Sequence, residues 1–181
     1  MTSSVPVDTR RAGVMALASR LAPHLGAAFG VLLADQASKA AAARVLVEGE
    51  VVHVGSFADL VLAHNRGAAF SLFADASGWQ RWLFIGLAIA VAMFILRSLA
   101  QPNGEPWSRT ALALVLGGAL GNVADRLWHG HVVDFISLHW REVYYFPAFN
   151  VADCAITVGT ALLVFAEIRR SRTGGNPSAA A

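Results

Sequence analysis

Residues 108–128 read SRTALALVLGGALGNVADRLW, a long apolar run that ends in polar residues. Its uncharged part, residues 110–124, is 15 residues long and stops directly at Asp125 and Arg126. A helix rises 1.5 Å per residue, so crossing a hydrocarbon core of roughly 30 Å takes about 20 residues. The run spans a membrane only if ionisable residues are admitted at one end. It therefore predicts a membrane helix with charged groups near one surface.

The composition of the whole chain agrees with a membrane location. Of its 181 residues, 56% are apolar and 14% are charged, whereas soluble proteins carry about 25% charged residues. Intrinsic disorder is excluded, and an ordinary water-soluble enzyme is disfavoured. The net charge of +2 is too small to indicate a nucleic-acid partner, and the single cysteine, Cys154, excludes an internal disulfide and a cysteine-based metal site.

Three further stretches have a similar length, which predicts an all-α membrane protein built as a four-helix bundle. The expected spans are residues 21–43, 79–100, 108–128 and 150–170. They lie in one membrane domain, residues 21–170, between a flexible N-terminal arm (1–20) and a flexible tail (171–181). Between the first two spans, residues 45–75 contain valine and leucine runs on either side of Gly55 and Ser56, which predicts a small β element on the outer face.

Arginine residues indicate the orientation of the bundle. Eight of them fall in the N-terminal arm, the second connection and the tail: Arg10, Arg11, Arg20, Arg97, Arg109, Arg169, Arg170 and Arg172. Because connections rich in Lys and Arg stay in the cytoplasm, both termini are expected there and the first and third connections are expected outside.

This topology brings the unusual polar residues to one level, near the outer face. They are Asp35, Lys39, Asn122, Asp125, Arg126, Asp134, Asn150 and Asp153. An ionisable residue deep in a span costs about 2.5–3.5 kcal/mol, so these groups are expected to pair. Asp35 and Lys39 have the i, i+4 spacing of a helical ion pair, structural or functional. Arg126 has a planar fork that can hold one or more carboxylates.

Asp134 and Asp153 form the strongest chemical pair. Asn150 is a good N-cap, and Asp153 at the third helical position faces the positive end of the helix dipole. Capping accounts for Asp153 but not for Asp134, which a loop brings to the same level. Two carboxyl groups in a poorly solvated site share a proton, an arrangement that can activate water and polarise a carbonyl, as in aspartic proteases.

Other small polar and glycine residues have simpler expected roles. Asn65 precedes Gly67 and is either a turn residue or a ligand for the substrate backbone. Five glycines are expected to allow close helix packing in lipid. They are Gly26, Gly30, Gly117, Gly118 and Gly121.

Competing chemistries and functions are less well supported. Cys154 is expected to act as a small hydrophobic residue, and Ser137 with His139 lacks the glycine-flanked turn of a serine nucleophile. His129, His131 and His139 are unevenly spaced for a metal site, so neither a metal nor a cofactor is predicted. Two other functions stay open: a small ion-binding or transport protein with a charged relay, and a non-catalytic assembly subunit.

Five segments of the sequence resemble motifs of the lipoprotein signal peptidase (signal peptidase II) family. They occur in family order between residues 32 and 166, which makes the resemblance specific. The segments are Asp35-Gln36-Ala37-Ser38-Lys39, Asn65-Arg66-Gly67-Ala68-Ala69-Phe70-Ser71, Gly117-Gly118-Ala119-Leu120-Gly121-Asn122-Val123-Ala124-Asp125-Arg126, Val132-Val133-Asp134-Phe135 and Phe149-Asn150-Val151-Ala152-Asp153.

The resemblance implies a multi-pass aspartic endopeptidase of the bacterial inner membrane, with a β-cradle and an active site near the periplasmic face. It implies that Asp134 and Asp153 activate water to cleave diacylglyceryl-modified prolipoproteins just before the lipidated lipobox cysteine. Membrane lipid, a monomeric state and inhibition by cyclic peptides such as globomycin are implied as well. The implied supporting and substrate-binding residues are Asp35, Gln36, Lys39, Asn65, Gly121, Asn122, Asp125, Arg126, Asn150 and Ala152. Cys154 departs from the family, many of whose members have serine there.

Overall fold

A computed structural model describes residues 9–67, 78–102, 105–141 and 143–173. Within these ranges the chain forms four long helices and a small sheet, so it is mostly helical, as the sequence predicts. In chain order the elements are α1 (Thr9–Val45), β1 (Val51–His53), β2 (Ala58–Asn65), α2 (Trp79–Ala100), α3 (Pro106–Trp128), β3 (Val132–Trp140), β4 (Tyr144–Tyr145) and α4 (Val151–Thr173).

Three helices in the described part of the chain are long and apolar enough to cross a membrane. They are Arg11–Val45, Trp79–Ala100 and Val151–Arg172. The fourth long helix, α3, has 23 residues, but Asn122, Asp125 and Arg126 lower the hydropathy of its C-terminal part. The helices therefore describe a multi-pass membrane protein, and a count of four spans stays a prediction.

The predicted element boundaries differ from those of the structure at both ends of the chain. Helix α1 begins at Thr9, so residues 9–20, expected to be flexible, are helical. Helix α4 runs to Thr173 and includes the start of the expected tail. Residues 1–8, 68–77 and 174–181, where parts of the expected arm, β element and tail fall, lie outside the described residues.

The strands form one antiparallel sheet in the order β1-β2-β3-β4. Strands β1 and β2 lie on either side of residues 54–57, where the sequence predicts the turn. Strands β2 and β3 pair Asn65 with Val132 and Ala63 with Asp134, and their register shifts between Leu60 and Ala63. This pairing brings the end of β2 next to the strand that carries Asp134.

Helix α3 lies at the centre of the bundle and packs against the other three helices. Glycines make the close approach possible, because a Cβ at Gly117 would lie 2.5 Å from the carbonyl oxygen of Ala28 in α1. A Cβ at Gly118 would meet the Ala152 carbonyl and lie 2.9 Å from Ile156 Cγ1 in α4. Close helix packing is therefore confirmed at these positions of α3.

The same prediction is wrong for Gly26 and Gly30 of α1. A Cβ at either position would have no described atom within 4 Å. Both residues lie on a side of α1 that no described helix approaches closely, since helix rotation decides which glycines face a neighbour.

Two apolar clusters hold the bundle and the sheet together. Ala28, Ile95, Leu99 and Leu116 join α1, α2 and α3 in the half of the bundle away from the sheet. Ala42, Leu46 and Phe135 join the end of α1 to β3. The second cluster fixes the sheet over the end of the bundle that carries the polar residues.

Candidate active site

The backbone of Phe149 joins the start of α4 to β3. Its carbonyl accepts hydrogen bonds from Phe135 N at 3.1 Å and Ile136 N at 2.9 Å, and its own N–H donates to the Ile136 carbonyl at 2.9 Å. Because Asp134 directly precedes Phe135 and Asp153 lies in the first turn of α4, these bonds bring the two acidic residues to one place.

Asn150 caps α4 as predicted. Its Oδ1 accepts a hydrogen bond from the Asp153 backbone N–H at 3.0 Å, and the Asp153 carboxylate accepts one from the Asn150 N–H at 3.2 Å. This reciprocal pair resembles a capping box, with aspartate in the place of glutamate. It fixes the Asp153 side chain at the beginning of the helix.

Amide groups hold both carboxyls of the pair. Asp134 is 2% exposed and accepts hydrogen bonds from Asn150 Nδ2 at 2.7 Å and from Asn65 Nδ2 at 3.1 Å. Asp153 accepts one from Asn122 Nδ2 at 2.8 Å. Asn65 also accepts a hydrogen bond from the N–H of Gly67 at 3.0 Å, so it acts as a turn residue and holds Asp134 at the same time.

The pKa of Asp134 is raised from its usual 3.8 to about 6. Burial is the main cause, since it disfavours the charged form, and the negative charge of Asp153 adds to it. The hydrogen bonds from Asn65 and Asn150 and the charge of Lys39 oppose the shift without cancelling it. Asp134 therefore holds a proton at a pH at which an ordinary carboxyl is ionised.

A buried ion cluster lies behind the pair. Lys39 Nζ is 2.8 Å from Asp35 Oδ2 and 2.9 Å from Asp125 Oδ2, and it donates to Asn122 Oδ1 at 3.0 Å. The i, i+4 pair of Asp35 and Lys39 is thus confirmed, and a second acid from α3 shares the same ammonium. The cluster connects α1 to the asparagine that holds Asp153.

The cluster is also tied to backbone groups of α4 and β3. Asp35 accepts a hydrogen bond from the Ala152 N–H at 2.8 Å, and Asp125 accepts one from the Val133 N–H at 3.1 Å. Gln36 donates to Asp125 at 2.9 Å and to the Gly121 carbonyl at 3.2 Å. A Cβ at Gly121 would lie 2.5 Å from Asp35 Oδ2, so a larger residue would disturb the cluster.

The partners of Arg126 differ from the prediction. Its Nη2 donates to the Gly67 carbonyl at 3.1 Å and its Nη1 to the Asn122 carbonyl at 3.3 Å. Among the residues the structure describes, no carboxylate lies within ion-pair distance of it. Its guanidinium lies 5.0 Å from the centre of the Phe84 ring. Phe84 is not among the residues predicted for the site, because an aromatic residue in a span usually faces lipid.

Both aspartates line one cavity of about 820 Å³. Asn65, Asn122 and Arg126 lie on its polar side together with the pair. The apolar wall comes from β3, α4 and the segment between them, and includes Leu138, Phe146, Phe149, Ile156 and Val158. The cavity can therefore bind an apolar chain beside a peptide bond.

The residues set aside in the sequence lie elsewhere or have other contacts. Cys154 is a free, exposed thiol on the cavity wall. His139 is buried in the sheet, with its Nε2 3.5 Å from Asp59 Oδ1. The described segments contain no group of three residues able to hold a metal ion.

All the candidate site residues come together. Asp35, Gln36, Lys39, Asn65, Gly121, Asn122, Asp125, Arg126, Asp134, Asn150, Ala152 and Asp153 belong to one connected network. The charged groups lie at one end of the bundle, over an apolar core. This arrangement disfavours an ion-binding or transport protein with a charged relay, because a relay that crosses the bundle would need polar residues at several depths.

Comparisons with known proteins point to one family. The profile of the family described as Signal peptidase (SPase) II matches residues 27–169. The chain is 53% identical over 152 residues to the lipoprotein signal peptidase of Paraburkholderia phytofirmans, covering 84% of this chain and 88% of that protein. It is 47% identical over 174 residues to the lipoprotein signal peptidase of Cupriavidus necator, covering 95% of this chain and 99% of that protein.

Solved structures share the fold. A bacterial membrane enzyme determined by the in meso method at 2.3 Å superimposes with a TM-score of 0.76 and 26% identity, over 89% of this chain and 96% of the other. A second one, at 1.9 Å, gives a TM-score of 0.71 and 29% identity, over 81% and 92% of the two chains.

Proposed function

The chain belongs to the lipoprotein signal peptidase (signal peptidase II) family, and on that premise we propose that Asp134 and Asp153 are its catalytic pair. The protein is a membrane protease that removes signal peptides from prolipoproteins. The proposal concerns the residues that perform the cleavage and the side of the membrane on which it occurs.

The bridge made by Asn150 carries the proposal. Its side-chain NH₂ donates to Asp134 at 2.7 Å, and its backbone N–H donates to Asp153 at 3.2 Å. One residue thus holds two carboxyls on the wall of one cavity. A capped helix alone needs only Asp153, so the second carboxyl supports a catalytic role.

The chemistry follows from the different surroundings of the two acids. The Asp153 carboxylate takes a proton from a water molecule, whose oxygen attacks the scissile carbonyl carbon. Asp134, with its pKa raised to about 6, gives its proton to the carbonyl oxygen. The C–N bond of the resulting tetrahedral diol then breaks, and the leaving amine takes a proton from Asp153. One of the two hydroxyl protons of the diol passes to Asp134, which leaves a carboxylic acid as the product and restores the starting state.

The membrane placement rests on where the charges lie. The C-terminal ends of α2 and α4 meet the N-terminal end of α3 away from the sheet, and Arg109 and Arg170 lie there. Under the positive-inside rule this end faces the cytoplasm, with α3 as the fourth span. The active site then lies near the periplasmic face of the bacterial inner membrane, where water and lipid are both available.

The cavity fits a substrate that stays in the membrane. We infer that its apolar wall binds a lipidated segment, so that cleavage occurs just before a diacylglyceryl-modified cysteine. Cyclic peptides such as globomycin would compete for the same space. Because one chain supplies every residue of the described network, a monomer suffices for catalysis.

Cleavage of a lipidated prolipoprotein by the purified full chain, followed as a gel shift, tests the proposal. Asp134→Asn and Asp153→Asn should each lower turnover by roughly 10³-fold or more, since each removes a group that transfers protons. The matched control is Asp59→Asn, which changes a buried acid of the same sheet outside the cavity lining. It should stay within about threefold of the wild type, as expected for a residue outside the site.

Retained turnover in either pair variant would overturn the proposal and favour a non-catalytic role of the polar cluster. A precursor with an unmodified cysteine tests the lipid preference. This precursor should be cleaved much more slowly, because it has no acyl chain to bind to the apolar wall of the cavity. Equal rates would indicate a general signal peptidase.

A further inference from the structure

Each asparagine of the site faces a group that can only donate a hydrogen bond. The Lys39 ammonium faces Asn122, the Gly67 backbone N–H faces Asn65, and the Asp153 backbone N–H faces Asn150. A donor must meet the carbonyl oxygen of an amide. The NH₂ group of each asparagine therefore has to point the other way, toward the catalytic pair.

The amide orientation of Asn122 differs from the other two because a side chain sets it. Asn65 and Asn150 are oriented by backbone groups of their own turn or helix start. The Asn122 carbonyl accepts its shorter hydrogen bond, at 3.0 Å, from Lys39, which lies 83 positions away in the sequence on another helix, and a longer one, at 3.3 Å, from Asn150 Nδ2. Substitution of Lys39 can remove the shorter bond without changing the backbone.

Lys39 is well held for this task. It is 3% exposed, and Asp35 Oδ2, Asp125 Oδ2 and Asn122 Oδ1 lie 2.8, 2.9 and 3.0 Å from its Nζ. An ammonium has three N–H bonds, so these three acceptors account for all of them. The two carboxylates fix the ammonium, and the third N–H reaches the amide.

We propose that Lys39 is a positioning residue of the cleavage reaction, which acts through Asn122 to stabilise the ionised form of Asp153. The inference rests on the proposed catalytic pair. Lys39 holds the Asn122 carbonyl, so that Asn122 Nδ2 donates to Asp153 Oδ1 at 2.8 Å. Hydrogen bonds from amides favour a carboxylate over a carboxylic acid. Lys39 is buried and does not line the cavity.

Other charged groups around Asp153 and Lys39 bear on the pH dependence. Asp134 faces Asp153 and Lys39 from β3. From α3, Arg126 faces Asp153 and Asp125 faces Lys39, and Asp35 faces Lys39 from its own helix. None of these is changed in a variant confined to Lys39. A shift in the pH–rate profile of such a variant therefore reports the loss of the ammonium and of the amide orientation it imposes.

The test is the acidic limb of the pH–rate profile of prolipoprotein cleavage, measured between pH 4.5 and 9 for the purified full chain. At low pH both carboxyls of the pair are protonated and the enzyme is inactive. The acidic limb reports the loss of one of these protons, which produces the active, singly ionised pair. Lys39→Met, which leaves no donor in the place of the ammonium, should move it to higher pH by roughly 0.5–1 unit and lower kcat more than it changes KM, since the bond that orients the Asn122 amide toward the ionised form is lost.

A double-mutant cycle separates action through Asn122 from a general structural effect. Asn122→Ala should shift the acidic limb by a similar amount, and Lys39→Met with Asn122→Ala should shift it no further than Asn122→Ala alone. Additive shifts, or an unmoved limb in active Lys39→Met protein, would overturn the inference.

A charge-balanced variant keeps the test decisive if Lys39→Met does not fold. Lys39→Met with Asp125→Asn removes one charge of each sign from the buried cluster. Its limb is compared with that of Asp125→Asn alone, in which the bond from Lys39 to Asn122 is retained, and the same shift is expected. If the pair variants at Asp134 and Asp153 are inactive but this limb does not move, the inference on Lys39 fails and the catalytic pair stands. Cleavage by the Asp134→Asn or the Asp153→Asn variant would instead refute the proposed catalytic pair.

Discussion

Replacing Asp134 by asparagine should stabilise the protein at alkaline pH and destabilise it at acidic pH, although the proposed catalytic role predicts a large loss of cleavage. The substitution keeps the shape of the side chain and removes its ability to ionise. In the folded protein the pKa of Asp134 is raised from 3.8 to about 6. Ionising the residue is therefore harder in the folded state than in the unfolded state, and the variant escapes this cost.

The sign of the pH dependence follows from proton binding. Between pH 3.8 and about 6 the folded protein holds a proton on Asp134 that the unfolded chain has lost. The stability of the wild type thus falls as pH rises through this window and stays low above it. The difference between the two pKa values corresponds to about 3 kcal/mol above pH 7.

Lost hydrogen bonds oppose this gain in the variant. Asn65 and Asn150 both present NH₂ groups to Asp134, and an asparagine has only one oxygen to accept them. The mismatch costs about 1–2 kcal/mol at any pH. We expect Asp134→Asn to be more stable than the wild type by about 1–2 kcal/mol at pH 8 and less stable by a similar amount near pH 4.

Thermal unfolding in detergent, followed by tryptophan fluorescence, measures the effect. A change of 1 kcal/mol moves the apparent Tm by about 2–4 °C in a chain of this size. The Tm difference between variant and wild type should change sign between pH 4 and pH 8. Glu167→Gln changes an exposed acid of α4 and serves as the control without such a sign change. An equal Tm difference at both pH values would refute the claim that burial keeps Asp134 protonated.

Three further predictions concern pH, packing and the cavity thiol. The value of kcat/KM for cleavage should decline above about pH 6, where Asp134 of the substrate-free enzyme loses its proton. The decline of kcat should occur at higher pH, because bound substrate removes water from around Asp134; declines of kcat and kcat/KM at the same pH would contradict this. Gly118→Ala should lower stability by about 1–3 kcal/mol through overpacking against α4, whereas Gly26→Ala, with no described atom within 4 Å, should not; equal unfolding temperatures would count against the packing argument. Cys154→Ser should keep cleaving the lipidated precursor, and an apolar maleimide should inhibit the wild type but not this variant, because the thiol lines the cavity; loss of activity in Cys154→Ser would indicate a thiol mechanism.

The sequence by itself determined the class of protein and the residues of the site. Helix length and hydropathy identify long apolar helices, and position along a helix gives the depth of each polar residue. Depth alone placed Lys39, Asn122 and Asp153 at one level, and the capping pattern predicted the orientation of Asp153. These features follow from distances of a few residues along one helix, which the chain order fixes.

Only the tertiary structure decided which groups face each other. It gave Lys39 a second acid, turned the Asn122 amide toward Asp153, and paired Arg126 with backbone carbonyls in place of carboxylates. It also made Gly117 a close contact and left Gly26 without one. The rotation and crossing of helices set these contacts, because they join residues from distant parts of the chain whose relative positions depend on the packing of the whole bundle.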